Sequence, residues 1–401
     1  MRLLKLAFLS AIIGVLAGTA SALFLVALAW ATDFRVAHPD IIVALPFAGF
    51  AIGWMYHRFG RAAAGGNTLI IAQIHSNNAP IPARMTPMIL VGTVVTHLFG
   101  GSAGREGTAI QMGASLADTL RRLLERIGLT IAPDERRWLL LAGMSGGFAS
   151  VFGTPAAGFV FALEVPRVGR IDTDGIAPCL IAACVGDVVT RAWGVGHAHY
   201  PALPVTPIDA GLLINVVLVG AACGLVARAF VALTDAIRHQ LRTRIPYPPL
   251  RPLIGGVIVL LMVALAGTRD YLGLSLPLLQ ASVSGVDVPP LAFAGKLAFT
   301  AVTLGSGFVG GEVTPLFVMG STLGHALGGI VGVDPAFMAA LALVAVFAGA
   351  SKTPLACAIM GVELFGGGAA IYSMVICVAA YLAAGRRGIY ASQRIELRQD
   401  D

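Results

Sequence analysis

Charged residues are scarce in this sequence. Its 401 residues include only 27 Lys or Arg and 21 Asp or Glu, so that 12% of the chain is charged and 57% is hydrophobic. A soluble globular chain would carry about 25% charged residues, and a disordered chain would be polar and rich in charge. The mean hydropathy of +0.84 excludes both classes. The composition therefore indicates a polytopic membrane protein that lies in the lipid bilayer.

Cysteine is also rare, and its spacing is uninformative. The five cysteines lie scattered within apolar runs, without the spacing of a metal or redox site. We interpret them as small packing residues. We therefore predict no metal and no cofactor.

The excess of basic residues is small and is confined to short stretches between apolar runs. A net charge of +6 in a chain of this length does not indicate a nucleic-acid partner. The positive-inside rule places the basic stretches and both termini in the cytoplasm, and segments 31–40 and 195–209 outside. The basic residues are Arg2, Lys5, Arg121, Arg122, Arg126, Arg136, Arg137, Arg228, Arg238, Arg242, Arg244, Arg251, Arg386 and Arg387.

Long uninterrupted apolar runs are few. Crossing the hydrocarbon takes about 20 helical residues, and clear long runs occur only at 6–31, 211–236 and 252–267. The first is too long for a signal-peptide core of about 7–15 residues and predicts a retained transmembrane helix. Most other apolar segments are shorter and are interrupted by Gly or Pro, at 41–57, 64–75, 85–100, 138–152, 155–165, 312–331, 336–349 and 354–365.

Short apolar helices are informative in a membrane protein. A helix that stops at mid-depth is tolerated only where it lines a polar cavity or is buried in protein. Such broken helices commonly form the substrate sites of transporters. The sequence therefore predicts an all-α polytopic membrane protein with many tilted and broken helices.

Two motifs recur about half a chain apart. Thr154–Glu164 begins with Thr-Pro and carries Glu nine residues after the proline, and it matches Thr353–Glu363, 199 positions later. Gly104–Thr108 (GREGT) matches Gly311–Pro315 (GEVTP), 207 positions later. Chance similarity of glycine-rich text is the alternative. We predict one transmembrane domain, 1–401, with inverted repeat halves at about 1–200 and 205–396 and no C-terminal soluble domain.

Three glycine-rich segments are predicted to open helices. The backbone N–H groups at a helix start are unpaired and carry the positive end of the helix dipole, so they attract anions. Three such starts could converge on one anion and bind it weakly enough to release it. The residues predicted to bind the anion at these starts are Asn67, Gly104, Arg105, Gly107, Thr108, Val313 and Thr314.

Glu106 and Glu312 are the carboxylates at two of these starts. A charged Glu106 could itself occupy the anion site and leave it on protonation, which would couple anion and proton movement. The alternative for Glu106 is a simple ion pair with Arg105. Glu312 is an ionisable group within the membrane and is therefore predicted to be functional. Its alternative role is to cap its own helix. We interpret Glu164 and Glu363 as structural carboxylates that cap or pair at helix ends.

These motifs, in this order, resemble the CLC family of chloride channels and anion/proton antiporters over about residues 10–396. Asn67 stands where the commonest pattern has serine, Thr108 where it has proline, and Glu312 and Thr314 where chloride-type members have apolar or small residues. The combination is similar to the fluoride/proton antiporter branch. The resemblance implies a bacterial inner-membrane exporter of fluoride, driven by protons, that forms a homodimer.

The same resemblance implies roles for individual residues. Glu106 would be the gating glutamate, and Asn67 would line the central site. Tyr390 would close the site from the cytoplasm; without the resemblance it would be interpreted as an interfacial aromatic. The internal proton-carrying glutamate of chloride/proton exchangers is Val165 here. The proton must therefore travel with Glu106 or through Glu312.

Two alternative functions stay open. A chloride/proton antiporter or chloride channel of the same family is the nearer one. The remote one is an intramembrane serine protease, because Gly143–Gly146 matches the G-x-S-G pattern and His325 lies in glycine-rich text. The predicted function is transport of fluoride, which needs dense hydrogen-bond donors to replace its water. No enzymatic activity is expected.

Overall fold

The computed structural model describes residues 2–395 and is almost entirely helical. One pair of parallel two-residue strands, β1 (Arg167–Val168) and β2 (Arg394–Ile395), accompanies the helices. Within the described residues the α-helices are α1 (Arg2–Ala37), α2 (Leu45–Phe59), α3 (Gly66–Ser76), α4 (Met85–Leu98), α5 (Glu106–Arg126), α6 (Pro133–Phe152), α7 (Pro155–Glu164), α8 (Ile176–Ala192), α9 (Ala210–Arg244), α10 (Leu250–Ala266), α11 (Leu276–Val283), α12 (Ala292–Ser306), α13 (Val313–Val331), α14 (Pro335–Ser351), α15 (Pro354–Phe365) and α16 (Ala370–Ala383).

The predicted mixture of long and short apolar helices is confirmed. By length and composition, five segments of the described chain can cross a membrane: Arg2–Ala37, Pro39–Phe59, Thr173–Ala192, Ala210–Arg244 and Val313–Val331. Others are much shorter, such as α7 with 10 residues and α15 with 12. Helices of this length cannot span the hydrocarbon alone and must pack inside the protein.

Proline and glycine set the limits of these short helices. Pro155 and Pro354 occupy the first turns of α7 and α15, where a missing N–H costs nothing. Gly153 and Gly332 end α6 and α13 with positive φ angles of 73° and 72°. Glycine adopts this left-handed conformation without strain. The Gly and Pro interruptions in the apolar segments therefore coincide with helix ends in the structure.

The central helices are buried on all sides. Every residue of α14 from Phe337 to Ser351 is buried, and α6 is buried from Leu139 to Phe152. Small residues let these helices approach their neighbours closely. A Cβ on Gly113 of α5 would collide with Gly143 of α6, and a Cβ on Gly320 of α13 would collide with Ala342 of α14. The broken helices thus form the protein interior.

Two glutamates cap each other's helices across the predicted halves. The carboxylate of Glu164, at the end of α7, accepts the N–H groups of Leu355 and Ala356 at 3.1 and 2.8 Å, at the start of α15. Glu363 of α15 accepts those of Ala156 and Ala157 at 2.9 and 2.7 Å, at the start of α7. The structural role predicted for both glutamates is confirmed. The halves themselves stay a prediction, and their limit at residue 396 lies outside the described residues.

Candidate anion site

The first turns of α5 and α13 are joined at two glycines. The N–H of Gly104 donates to the carbonyl of Gly311 at 2.6 Å, and the N–H of Gly311 donates back at 2.8 Å. A Cβ on Gly311 would lie 2.8 Å from the backbone nitrogen of Gly107. Only glycine permits this approach. The two GREGT-like motifs found in the sequence therefore meet, and two helix starts converge.

Glu106 lies at this junction and is fully buried. Its Oε2 accepts the backbone N–H of Thr314 at 3.0 Å and that of Arg105 at 3.1 Å. Its Oε1 accepts the hydroxyl of Thr314. The carboxylate thus occupies the start of α13, where the helix dipole and free N–H groups stabilise negative charge. The sequence-based hypothesis that Glu106 takes the place of an anion agrees with this geometry.

The ion pair with Arg105 is present as well. Nε of Arg105 lies 3.4 Å from Oε1 of Glu106. The Arg105 side chain is 19% exposed, whereas that of Glu106 is inaccessible. Glu106 therefore forms the ion pair with Arg105 and also accepts the hydrogen bonds of Thr314 at the start of α13.

Asn67 and Glu312 both lie beside Gly107. A Cβ placed on Gly107 would be 3.2 Å from Nδ2 of Asn67 and 3.6 Å from Oε2 of Glu312. Asn67 is buried in the first turn of α3, so the third predicted helix start also reaches this point. Its Oδ1 has no hydrogen-bond partner within the described chain.

Glu312 directly precedes α13 but does not cap it. Its side chain makes no hydrogen bond to the N–H groups of its own helix. The interpretation of Glu312 as an N-cap is therefore wrong. The carboxylate lies beside Gly107 and within electrostatic range of Glu106. The carboxylates of Glu106 and Glu312 therefore both lie near the junction of α5 and α13.

Tyr390 lies close to both carboxylates. It is buried, and its hydroxyl has no hydrogen-bond partner among residues 2–395. It interacts electrostatically with Glu312 and Glu106. Its ring meets that of Phe161 edge-on, with centroids 6.4 Å apart. An unpartnered buried hydroxyl is costly unless it serves a ligand, and the role of Tyr390 in the site stays a prediction.

The side chains of two predicted anion-binding residues, Thr108 and Val313, have other surroundings. The hydroxyl of Thr108 pairs with that of Thr93 in α4 at 2.7 Å, so this side chain joins α5 to α4. Val313 is the fully buried first residue of α13 and has an apolar side chain. Its contribution to an anion site is therefore limited to its backbone. The Thr314 hydroxyl instead donates to Glu106, and anion binding by Asn67 and Thr314 stays a prediction.

Sequence reasoning missed residues that approach the carboxylates. Tyr200, in the connection between α8 and α9, interacts electrostatically with Arg105 and Glu106. Arg238 of α9 interacts electrostatically with Glu312. No local pattern marks either residue, because both reach the site through distant packing. Different elements thus approach Glu106 and Glu312.

Lys296 supports the segment that leads to Glu106. It is fully buried, and its Nζ donates to Ser102 Oγ at 3.0 Å and to Ser275 Oγ at 2.9 Å. It also contacts the carbonyls of Tyr271 at 3.2 Å and Gly273 at 2.7 Å. This lysine is a tethered cation in a nest of oxygen atoms, which orders the chain just before the GREGT motif.

The structure gives the serine protease alternative no Ser145–His325 hydrogen bond among the described residues. The hydroxyl of Ser145 donates to the carbonyl of Cys179 at 2.8 Å, and Nδ1 of His325 bonds to the carbonyl of Ser282 at 3.1 Å. Each side chain is committed to backbone in a different part of the molecule. A Ser–His dyad needs the two within hydrogen-bond reach.

The fold and site together define a multi-pass membrane protein in which interrupted helices converge on an anion position. A sequence profile described as "Voltage gated chloride channel" matches residues 48–385. The chain belongs to this family, the CLC family, as the motifs indicated. A relative from Pseudomonas syringae pv. tomato, named "Chloride/fluoride channel protein", is 45% identical over 96% of this chain and 86% of its own. The H(+)/Cl(-) exchange transporter ClcA of Vibrio vulnificus is 26% identical over 89% and 81% of the two chains.

Solved structures show the same fold. A CLC-type fluoride/proton antiporter superposes with a TM-score of 0.94 and 32% identity over 98% of both chains. A slow cyanobacterial Cl-/H+ antiporter superposes with a TM-score of 0.80 and 19% identity over 96% of both chains. The predicted CLC-type helical membrane fold with broken helices is therefore confirmed, and its division into inverted repeats stays a prediction.

Proposed function

We propose that this protein is a fluoride/proton antiporter that exports cytoplasmic fluoride in exchange for protons. The observation that carries the proposal is the position of the Glu106 carboxylate, which accepts the N–H and the hydroxyl of Thr314 at the start of α13. An anion can enter this position only when Glu106 leaves, and a carboxylate leaves such donors most readily when it is protonated. One side chain thereby links the two ions. The protein acts as a transporter, not as an enzyme.

Several features favour fluoride as the anion. Fluoride is small and strongly hydrated, so its site must supply dense donors: the amide of Asn67, the hydroxyls of Thr314 and Tyr390, and the backbone at the helix starts. A protonated Glu106 or Glu312 can donate a strong hydrogen bond to it. The fluoride/proton antiporter structure and the 45% identical relative support the same anion. Chloride transport is the alternative, since the name of that relative includes both halides.

The orientation of the protein in the membrane is inferred from the position of its basic residues and from the contacts of α1. Lys5, near the start of α1, donates to the carbonyl of Thr130 at 2.9 Å and pairs with Glu135 at 2.7 Å. The start of α1 therefore lies beside the connection between α5 and α6, where the end of α5 and the start of α6 carry several arginines. By the positive-inside rule this face is cytoplasmic. We propose a bacterial inner-membrane homodimer with both termini on this face.

The proposal is tested with purified protein in liposomes. Fluoride efflux is followed with an electrode while proton uptake is followed by external pH. The native protein should move both ions, and Glu106→Gln should abolish proton uptake because a glutamine cannot carry the proton. Glu312→Gln should reduce fluoride flux. Glu125→Gln, on the same helix as Glu106 but paired with Arg121 at 2.6 Å, is the control and should keep both fluxes.

A native protein that moves chloride as fast as fluoride would contradict the assignment of the anion. Fluoride efflux without proton uptake would contradict antiport and favour a channel. Unchanged fluoride flux in Glu312→Gln would remove the role of that carboxylate while leaving the role of Glu106 intact.

A further inference from the structure

A cavity of about 530 Å³ lies among four segments of the chain. They are the end of α2, the end of α9, the start of α10 and the turn at 305–307 that precedes α13. The lining of the cavity includes four arginines and one histidine: Arg61, Arg238, Arg242, Arg251 and His57. We refer to it as the arginine pocket. It lies on the face where the basic connections gather, which is cytoplasmic in the orientation proposed above.

The arginine pocket carries an uncompensated positive charge. No Asp or Glu is among its lining residues within the described chain. Arg242 makes no hydrogen bond or ion pair with residues 2–395, and it repels Arg251 electrostatically. Arg238 alone has a carboxylate partner, the exposed Asp235 at 2.9 Å. Like charges held around one cavity are unfavourable unless an anion joins them.

Two of the arginines are held in place by the backbone. Nε of Arg251 donates to the carbonyl of Ile245 at 2.9 Å, and Nε of Arg61 donates to the carbonyl of His57 at 2.9 Å. The Nε atoms of these two lining arginines are thus held by the backbone of their own segments. Prepositioned donors lose less side-chain entropy when a ligand binds.

The size of the cavity and its donors identify the ligand chemistry. A halide is far smaller than 530 Å³ and would leave most of the cavity unfilled. The planar fork of arginine matches the oxygen atoms of phosphate, and basic pockets between transmembrane helices suit phosphate headgroups. We propose that the arginine pocket binds a phosphate-bearing anion, supplied either by an anionic phospholipid headgroup or by a soluble phosphate compound.

Part of the pocket lining is close in sequence to the start of α13. This part includes the turn Gly305–Gly307, a few residues before α13, and Arg238 acts electrostatically on Glu312. A bound phosphate would neutralise the charge that draws halides to this face. Occupation should therefore slow fluoride loading. This consequence rests on the proposed function, whereas the binding itself does not.

Binding is measured first, by calorimetric titration of inorganic pyrophosphate into the purified full-length protein in a neutral detergent. Arg242→Gln should weaken binding about tenfold or more, because it removes charge-assisted hydrogen bonds. Arg244→Gln is the matched control: it removes the same charge from the same exposed helix end but lies outside the lining. Equal weakening in both variants, or no binding by the native protein, would overturn the site.

The source of the phosphate is then determined in bilayers. Pyrophosphate binding that disappears in nanodiscs containing phosphatidylglycerol, but persists in zwitterionic ones, identifies the headgroup as the occupant. Binding that persists in both identifies a soluble anion. In zwitterionic liposomes, pyrophosphate on the arginine-pocket face should slow fluoride flux in the native protein and not in Arg242→Gln. Intact binding without slower flux would refute the coupling to transport but not the fluoride assignment.

Discussion

Replacing Lys296 with methionine would leave four buried oxygen atoms without their cationic partner. Two of these can be satisfied in other ways, because the Ser102 hydroxyl also pairs with that of Thr300 at 2.9 Å and the Ser275 hydroxyl can rotate. The carbonyls of Tyr271 and Gly273 would lose the ammonium donor. Each buried acceptor left unpaired costs about 1–3 kcal/mol. We therefore expect Lys296→Met to lower the free energy of unfolding by about 2–6 kcal/mol.

A second buried lysine provides the control. Lys352 is also fully buried, but its Nζ makes no hydrogen bond within the described chain and lies 5.6 Å from the centre of the Tyr381 ring. Lys352→Met removes the same charge and keeps the same volume. The substitution removes a cation–π contact of about 0.5–2 kcal/mol, which destabilises the protein. It also removes the cost of burying a charge, which stabilises the protein. We expect it to change stability by less than about 2 kcal/mol.

Both variants are compared by denaturant unfolding of the detergent-solubilised protein, followed by circular dichroism. We expect Lys296→Met to be clearly the less stable of the two variants. Equal stability of the two variants would show that the oxygen nest around Lys296 does not hold the amine as described.

Three further changes test other parts of the structure. Glu363→Ala uncaps α7 and removes two hydrogen bonds of a solvent-exposed carboxylate, so unfolding free energy should fall by about 0.5–2 kcal/mol; an unchanged unfolding midpoint would argue against the cap. Tyr390→Phe should leave stability within about 0.5 kcal/mol, because its hydroxyl bonds to nothing among the described residues, yet reduce fluoride flux; a large stability loss would assign the hydroxyl a structural role. Gly107→Ala places a Cβ 3.1 Å from Gly311 and 3.2 Å from Asn67, so fluoride flux should collapse, and undiminished flux would mean that the helix starts do not form the site.

Local chemistry accounts for the features of the fold that the sequence predicted correctly. Glycine and proline have fixed backbone consequences, so the ends of α6, α7 and α15 could be identified before any contact was known. Glu106 was identifiable for the same reason, because a carboxylate at a helix start inside an apolar segment is unusual and functional by default. The repeat also marked α13 as the partner of α5.

Contacts between segments that are distant in the chain could not be predicted from local sequence patterns. The Thr108 hydroxyl could face an anion or α4, and only packing decides that it pairs with Thr93. The oxygen nest of Lys296 is assembled from segments more than 190 positions apart. Arg238 lies in a predicted basic stretch, and nothing in that stretch indicated that it acts on Glu312. These side-chain partners depend on tertiary structure and not on local pattern.

The most direct test of the central claim compares fluoride with chloride in liposomes containing the native protein, with halide efflux and proton movement recorded together. The account predicts that a fluoride gradient drives proton uptake and that chloride supports much slower turnover. Rapid chloride turnover equal to that of fluoride, or fluoride efflux with no accompanying proton uptake, would contradict it.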